Sequence, residues 1–234
     1  MKSQLMIVGL GGSLSQHSNS LAALKIALAG AAEAGAKTEL LDIRELALPM
    51  YDPGGTSPPP SVTKLCKAVS EADGLIFSSP MYHGTISGSF KNALDWFQLL
   101  GDRKPPYLTD KVVGLISSAG GVQGLQAVNT MEFVVRALRG WAVPLVMAIA
   151  QAWKAFDEKG DPVDPQLTEQ LHALGREVAR VRASSNLNRP LRPMRRGRRR
   201  RSHRTAIAKR SPLRMHSSDQ VTIPIVRLVV SHPS

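Results

Sequence analysis

Residues 9–20 read Gly-Leu-Gly-Gly-Ser-Leu-Ser-Gln-His-Ser-Asn-Ser, with no acid among them. They place four hydroxyls (Ser13, Ser15, Ser18 and Ser20) and the amide of Asn19 between an apolar run and an Ala/Leu-rich stretch. Hydroxyls and free backbone N–H groups at a helix N-terminus suit an anion. A dinucleotide pyrophosphate calls for G-x-G-x-x-G, and Leu14 stands where the third glycine belongs. A triphosphate loop needs a lysine before its Ser/Thr, and residues 9–20 contain none. What remains is a single phosphate. Capping of the helix by Ser18, Asn19 or Ser20 is the simpler alternative, but one capping residue would suffice for that.

Two further stretches share this small, polar character: Ser78–Trp96 (SSPMYHGTISGSFKNALDW) and Ile116–Gly124 (ISSAGGVQG). No nucleophile or metal set accompanies them. His17, His83, His172, His203, His216 and His232 lack ligand spacing, so neither a catalytic side chain nor a metal site is predicted. Cys66, flanked by Lys64 and Lys67, reads as a small buried apolar group. As the only cysteine it allows no intrachain disulfide and points to a reducing compartment, the cytoplasm. The apolar run after Lys2 stops at Gly9, shorter than a secretory h-region, and no stretch has the ~18 apolar residues of a membrane helix.

The polar stretches need a scaffold, and the surrounding pattern supplies one. Strands are predicted at 4–10, 37–43, 74–80 (stopped by Pro80), 111–121 and 142–150. Helices are predicted at 20–34, 61–72, 88–100, 122–139 and 165–182. Strands alternating with helices imply a doubly wound α/β sheet, whose ligands gather beyond the carboxyl ends of the strands. The loops 11–20, 79–88 and 117–124 would meet there. Phe90, Leu94 and Phe97 form one apolar face, for the core or for a second subunit.

Pro80, Tyr82, Gly84, Thr85 and the following FKNALDW (90–96) resemble the NAD(P)H-dependent FMN reductase family of flavodoxin-like proteins. Gly12, Ser13 and Ser18 match that family's phosphate loop, and 116–124 matches its third, Gly-rich loop. The resemblance covers about residues 4–180. It departs at Ser15, where the family commonly has Arg, and at Met81 and His83, where it commonly has an acid and Asn. It implies a five-stranded parallel sheet in the order 2-1-3-4-5 with helices on both faces, binding FMN and using NADPH or NADH. The cofactor residues would be Ser13, Ser15, Ser18, Asn19, Ser20, Pro80, Met81, Tyr82, His83, Gly84, Thr85, Ser118, Gly120 and Gly121. Hydride would pass from nicotinamide to flavin and on to a small acceptor (flavin, quinone, azo compound or metal ion), in a homodimer or homotetramer.

Charge separates the chain into two parts. Residues 1–183 hold 17 basic and 17 acidic side chains, whereas 184–234 hold 13 basic and one acidic, which accounts for the whole net charge of +12. A domain over 1–183 and a disordered Arg-rich tail over 184–234 are predicted. Binding of nucleic acid through that tail is one alternative function, with steep salt dependence; an incidental, non-native tail is the other reading of it. A non-enzymatic flavodoxin-type electron carrier is the remaining alternative, although such carriers are usually strongly acidic and residues 1–183 are neutral.

Overall fold

A computed structural model describes residues 4–55 and 57–185. The Arg-rich segment lies outside the described residues, apart from Ser184 and Ser185 at its start. The chain runs β1 (Met6–Gly11), α1 (Asn19–Glu33), β2 (Lys37–Asp42), α2 (Ile43–Leu46), α3 (Pro60–Glu71), β3 (Gly74–Tyr82), β4 (Thr85–Ile86) and α4 (Gly88–Asp95). A 3-10 turn over Trp96–Leu100 continues α4; then follow β5 (Val112–Ala119), α5 (Leu125–Ala137), β6 (Trp141–Ile149), α6 (Ala152–Ala155) and α7 (Pro165–Ser184).

The parallel order β2-β1-β3-β5-β6 reproduces the expected five-strand arrangement, with one addition. Pro80 does not stop the third strand. Residues 79–82 lie past the last β1–β3 pair, Gly11 with Ser78, so Pro80 has a strand only on its β5 side, facing Ser118. A missing N–H is tolerated on an open strand edge. The strand therefore continues to Tyr82 and turns back, pairing Met81 with Ile86 and Tyr82 with Thr85 as the antiparallel β4. His83 and Gly84 make the turn, with φ +49° and +84°. Positive φ at both central residues of a two-residue hairpin is the type I′ geometry, in which glycine is favoured.

The sheet is covered on both faces, as all-parallel sheets require. Val8, Leu10, Leu75, Phe77, Val113 and Leu115 face α3, α4 and α5; Ile7, Ile76, Val112 and Ile116 face α1 and α7. Phe90, Leu94 and Phe97 are buried in the first of these layers, so that face serves the core of its own subunit. Their ring partner is Phe77, edge-on to Phe90 at 5.7 Å.

α1 and α7 meet backbone to backbone. A Cβ on Gly175 would lie 1.8 Å from the Ala27 carbonyl oxygen, and one on Gly30 would lie 2.2 Å from that of His172. Glu33 clamps the pair from outside, accepting from His172 Nδ1 at 2.9 Å and from Arg176 at 3.0 Å. At the amino edge of the sheet, Asp73 ties three segments together. Its carboxylate accepts from Met6 N at 2.9 Å and from the buried Arg182 guanidinium at 3.3 Å.

Gly175→Ala is expected to cost several kcal/mol, because the helices must separate to admit one methyl group. A large fall in thermal midpoint would show it. Asp73→Ala should cost about 3 kcal/mol by leaving the Arg182 charge buried without its carboxylate, readable as a lowered denaturant midpoint with unchanged slope.

Candidate functional site

The strands β1, β3 and β5 run parallel, so the segments that follow them leave the same carboxyl edge. Residues 12–18, 79–88 and 117–124 contain no Asp, Glu, Lys or Arg. Any ligand held by these loops is held by neutral donors and backbone dipoles.

The first loop is pinned to β3. Gly12 N donates to Ser78 O at 3.2 Å, and Ser78 Oγ donates to Ser20 O at 2.7 Å. Several of the predicted phosphate ligands have structural duties here. Ser18 is the N-cap of α1, its Oγ accepting from Leu21 N at 3.2 Å and lying 3.1 Å from Ser20 Oγ. Ser20 is buried, and the Asn19 amide reaches sideways to Ala152 O at 2.9 Å. Ser13 is buried and accepts from Ser15 N at 3.3 Å; Ser15 is exposed, with its hydroxyl on His17 O. Among the described residues, the amides of Leu14, Gln16 and His17 donate to no protein acceptor. The loop thus offers a short row of free N–H groups ahead of a capped helix, the donor set that suits a phosphate.

In the second loop Pro80 is buried, Met81 half-buried, and Tyr82, His83, Gly84 and Thr85 exposed, with Tyr82 at 52%. Ser87 caps α4 through Phe90 N at 3.2 Å, and its own N–H donates to Ser79 Oγ at 3.1 Å. Thr85 Oγ1 lies 3.2 Å from Thr130 Oγ1, which docks the hairpin on α5. The hairpin is therefore braced from behind while Tyr82 and His83 project outward.

The third loop begins at Ser117 and Ser118. Ser118 is buried opposite Pro80. Ser117 Oγ is the one fully buried side-chain polar atom without a hydrogen-bond partner among the described residues. Gly120 and Gly121 are exposed, and a Cβ on either would meet nothing within 4 Å. The protein itself makes no packing demand for glycine at these two positions; a molecule lying against the backbone would.

The residues missed at the sequence level are the strand-end serines Ser78, Ser79 and Ser117. Their signal was present: serine pairs closing two otherwise apolar buried strands. A cleft of about 260 Å³ lies beside the first two loops, walled by Leu14, Ile43, Ala47, Met50, Gly88 and Asn92. Cys66 sits away from the loops in the α3 layer; burial pushes its thiol up, against a smaller opposite effect of Arg103.

A family model described as NADPH-dependent FMN reductase matches residues 5–154. The chain belongs to this family. The match spans β1 to α6 and takes in all three loops, leaving α7 outside it. Over 129 residues the chain is 34% identical to a Staphylococcus aureus (strain USA300) protein named FMN-dependent NADPH-azoreductase. That alignment covers 53% of this chain and 65% of the relative, a little under two thirds of its length. Among solved structures, FerB from Paracoccus denitrificans, a flavoenzyme NAD(P)H:(acceptor) oxidoreductase, superposes with a TM-score of 0.62 at 19% identity. It covers 76% of this chain and 97% of its own. A flavodoxin from the domain Archaea superposes at 0.54 with 10% identity, over 76% and 99%. These two likenesses establish the flavodoxin-like fold. FMN and NADPH are the cofactors in the family's description. The uncharged loops, the free amides and the unpartnered Ser117 hydroxyl fit a group carrying one phosphate and a flat ring.

Ser18→Ala should lower stability by about 1 kcal/mol through loss of the cap. Ser117→Ala should change the apo protein by less than about 0.5 kcal/mol, since no protein hydrogen bond is lost. Both are measurable by chemical denaturation. His83→Val should cost about 1–2 kcal/mol at its left-handed φ, whereas His83→Asn should be tolerated.

The turn at 157–161 gives a pH test. Asp157 is held below the usual carboxylate range, first by the N–H of Asp161, with Lys159 and Gly160 adding to it. A depressed folded pKa contributes stability above the unfolded value and loses it as pH falls through the folded one. Protection of the amides at 159–161, taken relative to the intrinsic exchange rate at each pH, should accordingly fall below the ordinary Asp range, and Asp157→Asn should abolish that pH dependence.

Proposed function

We propose that this chain is an NAD(P)H-dependent FMN reductase that passes electrons from nicotinamide through FMN to a small acceptor molecule. The observation that carries this reading is the convergence of three uncharged loops, all inside the family match, on one edge of a flavodoxin-like sheet. When bound, FMN supplies the hydride-accepting ring, so the protein's part is binding, orientation and electrostatics.

On this reading the amides of Leu14, Gln16 and His17 hold the phosphate, joined by the hydroxyls of Ser13 and Ser15 and the backbone at Ser18–Ser20. The side chains of Ser18, Asn19 and Ser20 act by fixing the loop. Ser15 stands where the family commonly has Arg, so phosphate affinity here rests on dipoles rather than on a full positive charge. The Pro80–Thr85 hairpin borders the ring: Met81 and Tyr82 offer apolar and aromatic surface, and the rigid His83–Gly84 turn positions backbone groups at its rim. Ser118, Gly120 and Gly121 present backbone to the ring's polar end, where N–H groups stabilise developing negative charge. No side chain is assigned as an acid, base or nucleophile.

The proposal includes a homodimer or homotetramer in the cytoplasm, since Phe133 and Leu125 on α5 and Val122 beside them remain exposed at 67%, 52% and 75%. Sedimentation at micromolar concentration should show more than a 25 kDa species. With FMN, the purified protein should absorb near ~450 nm and oxidise NADPH rapidly; absence of both, with the fold intact by circular dichroism, would refute the assignment. Tyr82→Ala should weaken FMN binding, and truncation after residue 185 should leave it unchanged.

A further inference from the structure

The loop between α4 and β5 closes a second cavity on the amino side of the sheet, at the opposite end of the strands from the loops described above. Its volume is about 220 Å³, and Ser70, Arg103, Lys104, Tyr107, Thr109 and Lys111 line it together with Pro105. Three of these side chains are cationic and none is acidic. Among the described residues, no carboxylate lies within 4.0 Å of Arg103, Lys104 or Lys111, although six ion pairs form elsewhere. The sequence past residue 185 adds only one acid, Asp219. Of the neighbouring carboxylates, Glu71, Asp102 and Asp110 flank the lining residues without pairing with these three cations, and Asp73 is already engaged by Arg182 and by the amide of Met6.

Each cation has a defined place. Lys111 is half-buried, and its ammonium donates to Ser70 O at 3.0 Å and Ala72 O at 2.5 Å. These carbonyls close the C-terminal end of α3, where the helix dipole favours positive charge. An ammonium has three donors, so one is left over. Arg103 is fixed on the wall by its bond to Ser70 Oγ. Lys104 stands exposed at the rim. Arg139 lies 6.0 Å over the Tyr107 ring and adds a fourth positive charge behind that wall. Burial pushes the Lys111 ammonium below its ordinary range, with Asp73 opposing this and Arg182 assisting it. A desolvated cation among like charges is in debt for a counter-ion, and a guanidinium beside an ammonium matches a tetrahedral oxyanion well.

We propose that this cavity is a binding site for a small oxyanion of the phosphate class, separate from the carboxyl-edge loops. Its volume falls below the roughly 300 Å³ at which sites for drug-sized ligands begin. It suits a phosphate group and excludes a whole dinucleotide. Arg103 and Lys104 draw the anion in and hold it at the rim, while Lys111 contacts it from the floor. The anion would tie together the end of α3, the 101–110 loop and the start of β5.

The test is a titration of the full-length protein, saturated with FMN, with inorganic phosphate, followed through backbone amides by heteronuclear NMR. Sodium chloride at matched ionic strength is the control. Saturable shifts are expected at Ser70, Tyr107, Thr109 and Lys111 with phosphate and not with chloride. Arg103→Gln combined with Lys104→Gln, both at exposed positions, should weaken the phosphate affinity tenfold or more with unchanged amide dispersion. Equal shifts with chloride, shifts confined to residues 12–20 or to residues beyond 185, or undiminished binding by the double variant would each overturn the proposal.

Discussion

β1 passes β3 at Gly11 with no room for a side chain: a Cβ there would lie 2.3 Å from the carbonyl oxygen of Ser78. Everything at the carboxyl edge follows from this contact. It lets Gly12 donate to the same carbonyl, and it brings the Ser78 hydroxyl under the first turn of α1. The loop after β1 is thereby anchored at both of its ends, and its central amides are left pointing at no protein acceptor. A larger residue at position 11 would push the two strand ends apart and dissolve the loop geometry along with the pairing.

The same contact explains how one sheet carries three different loop behaviours. Past Gly11, β3 loses its neighbour on one side and is free to run on, through Pro80, into the hairpin. On its other side it stays paired with β5 as far as Met81 and Ala119. The first loop is fixed by backbone contacts, the second by an antiparallel return docked on α5, and the third by the segment after β6, where Gln151 N donates to Gly121 O at 3.0 Å.

Much of this was legible in the residues. Apolar runs closed by glycine, proline or small polar residues located the five parallel strands, the family resemblance supplied their order, and the three polar loops fall at one edge as expected. Pro80 was misleading because a missing N–H ends a strand only where a partner needs it. That depends on where β1 stops, which local sequence does not state. The hydroxyls before α1 were likewise identifiable as a group but not as individuals. Whether Asn19 faces a ligand or the carbonyl of Ala152 is decided by a segment more than a hundred residues away. The short helices α2 and α6 left no periodic signal, having only four residues each.

The intimate seam between α1 and α7 joins the first helix of the described residues to the last. Neither can complete its side of the core alone, since Ala27 and Ala31 have their counterpart in a helix that begins only at Pro165. During synthesis, one face of the growing sheet must wait uncovered until nearly the entire domain has emerged. Contacts so distant along the chain make for slow folding and for an aggregation-prone interval before closure. The vulnerability of the nascent chain is thus written into two glycines that, in the finished molecule, account for its tightest packing.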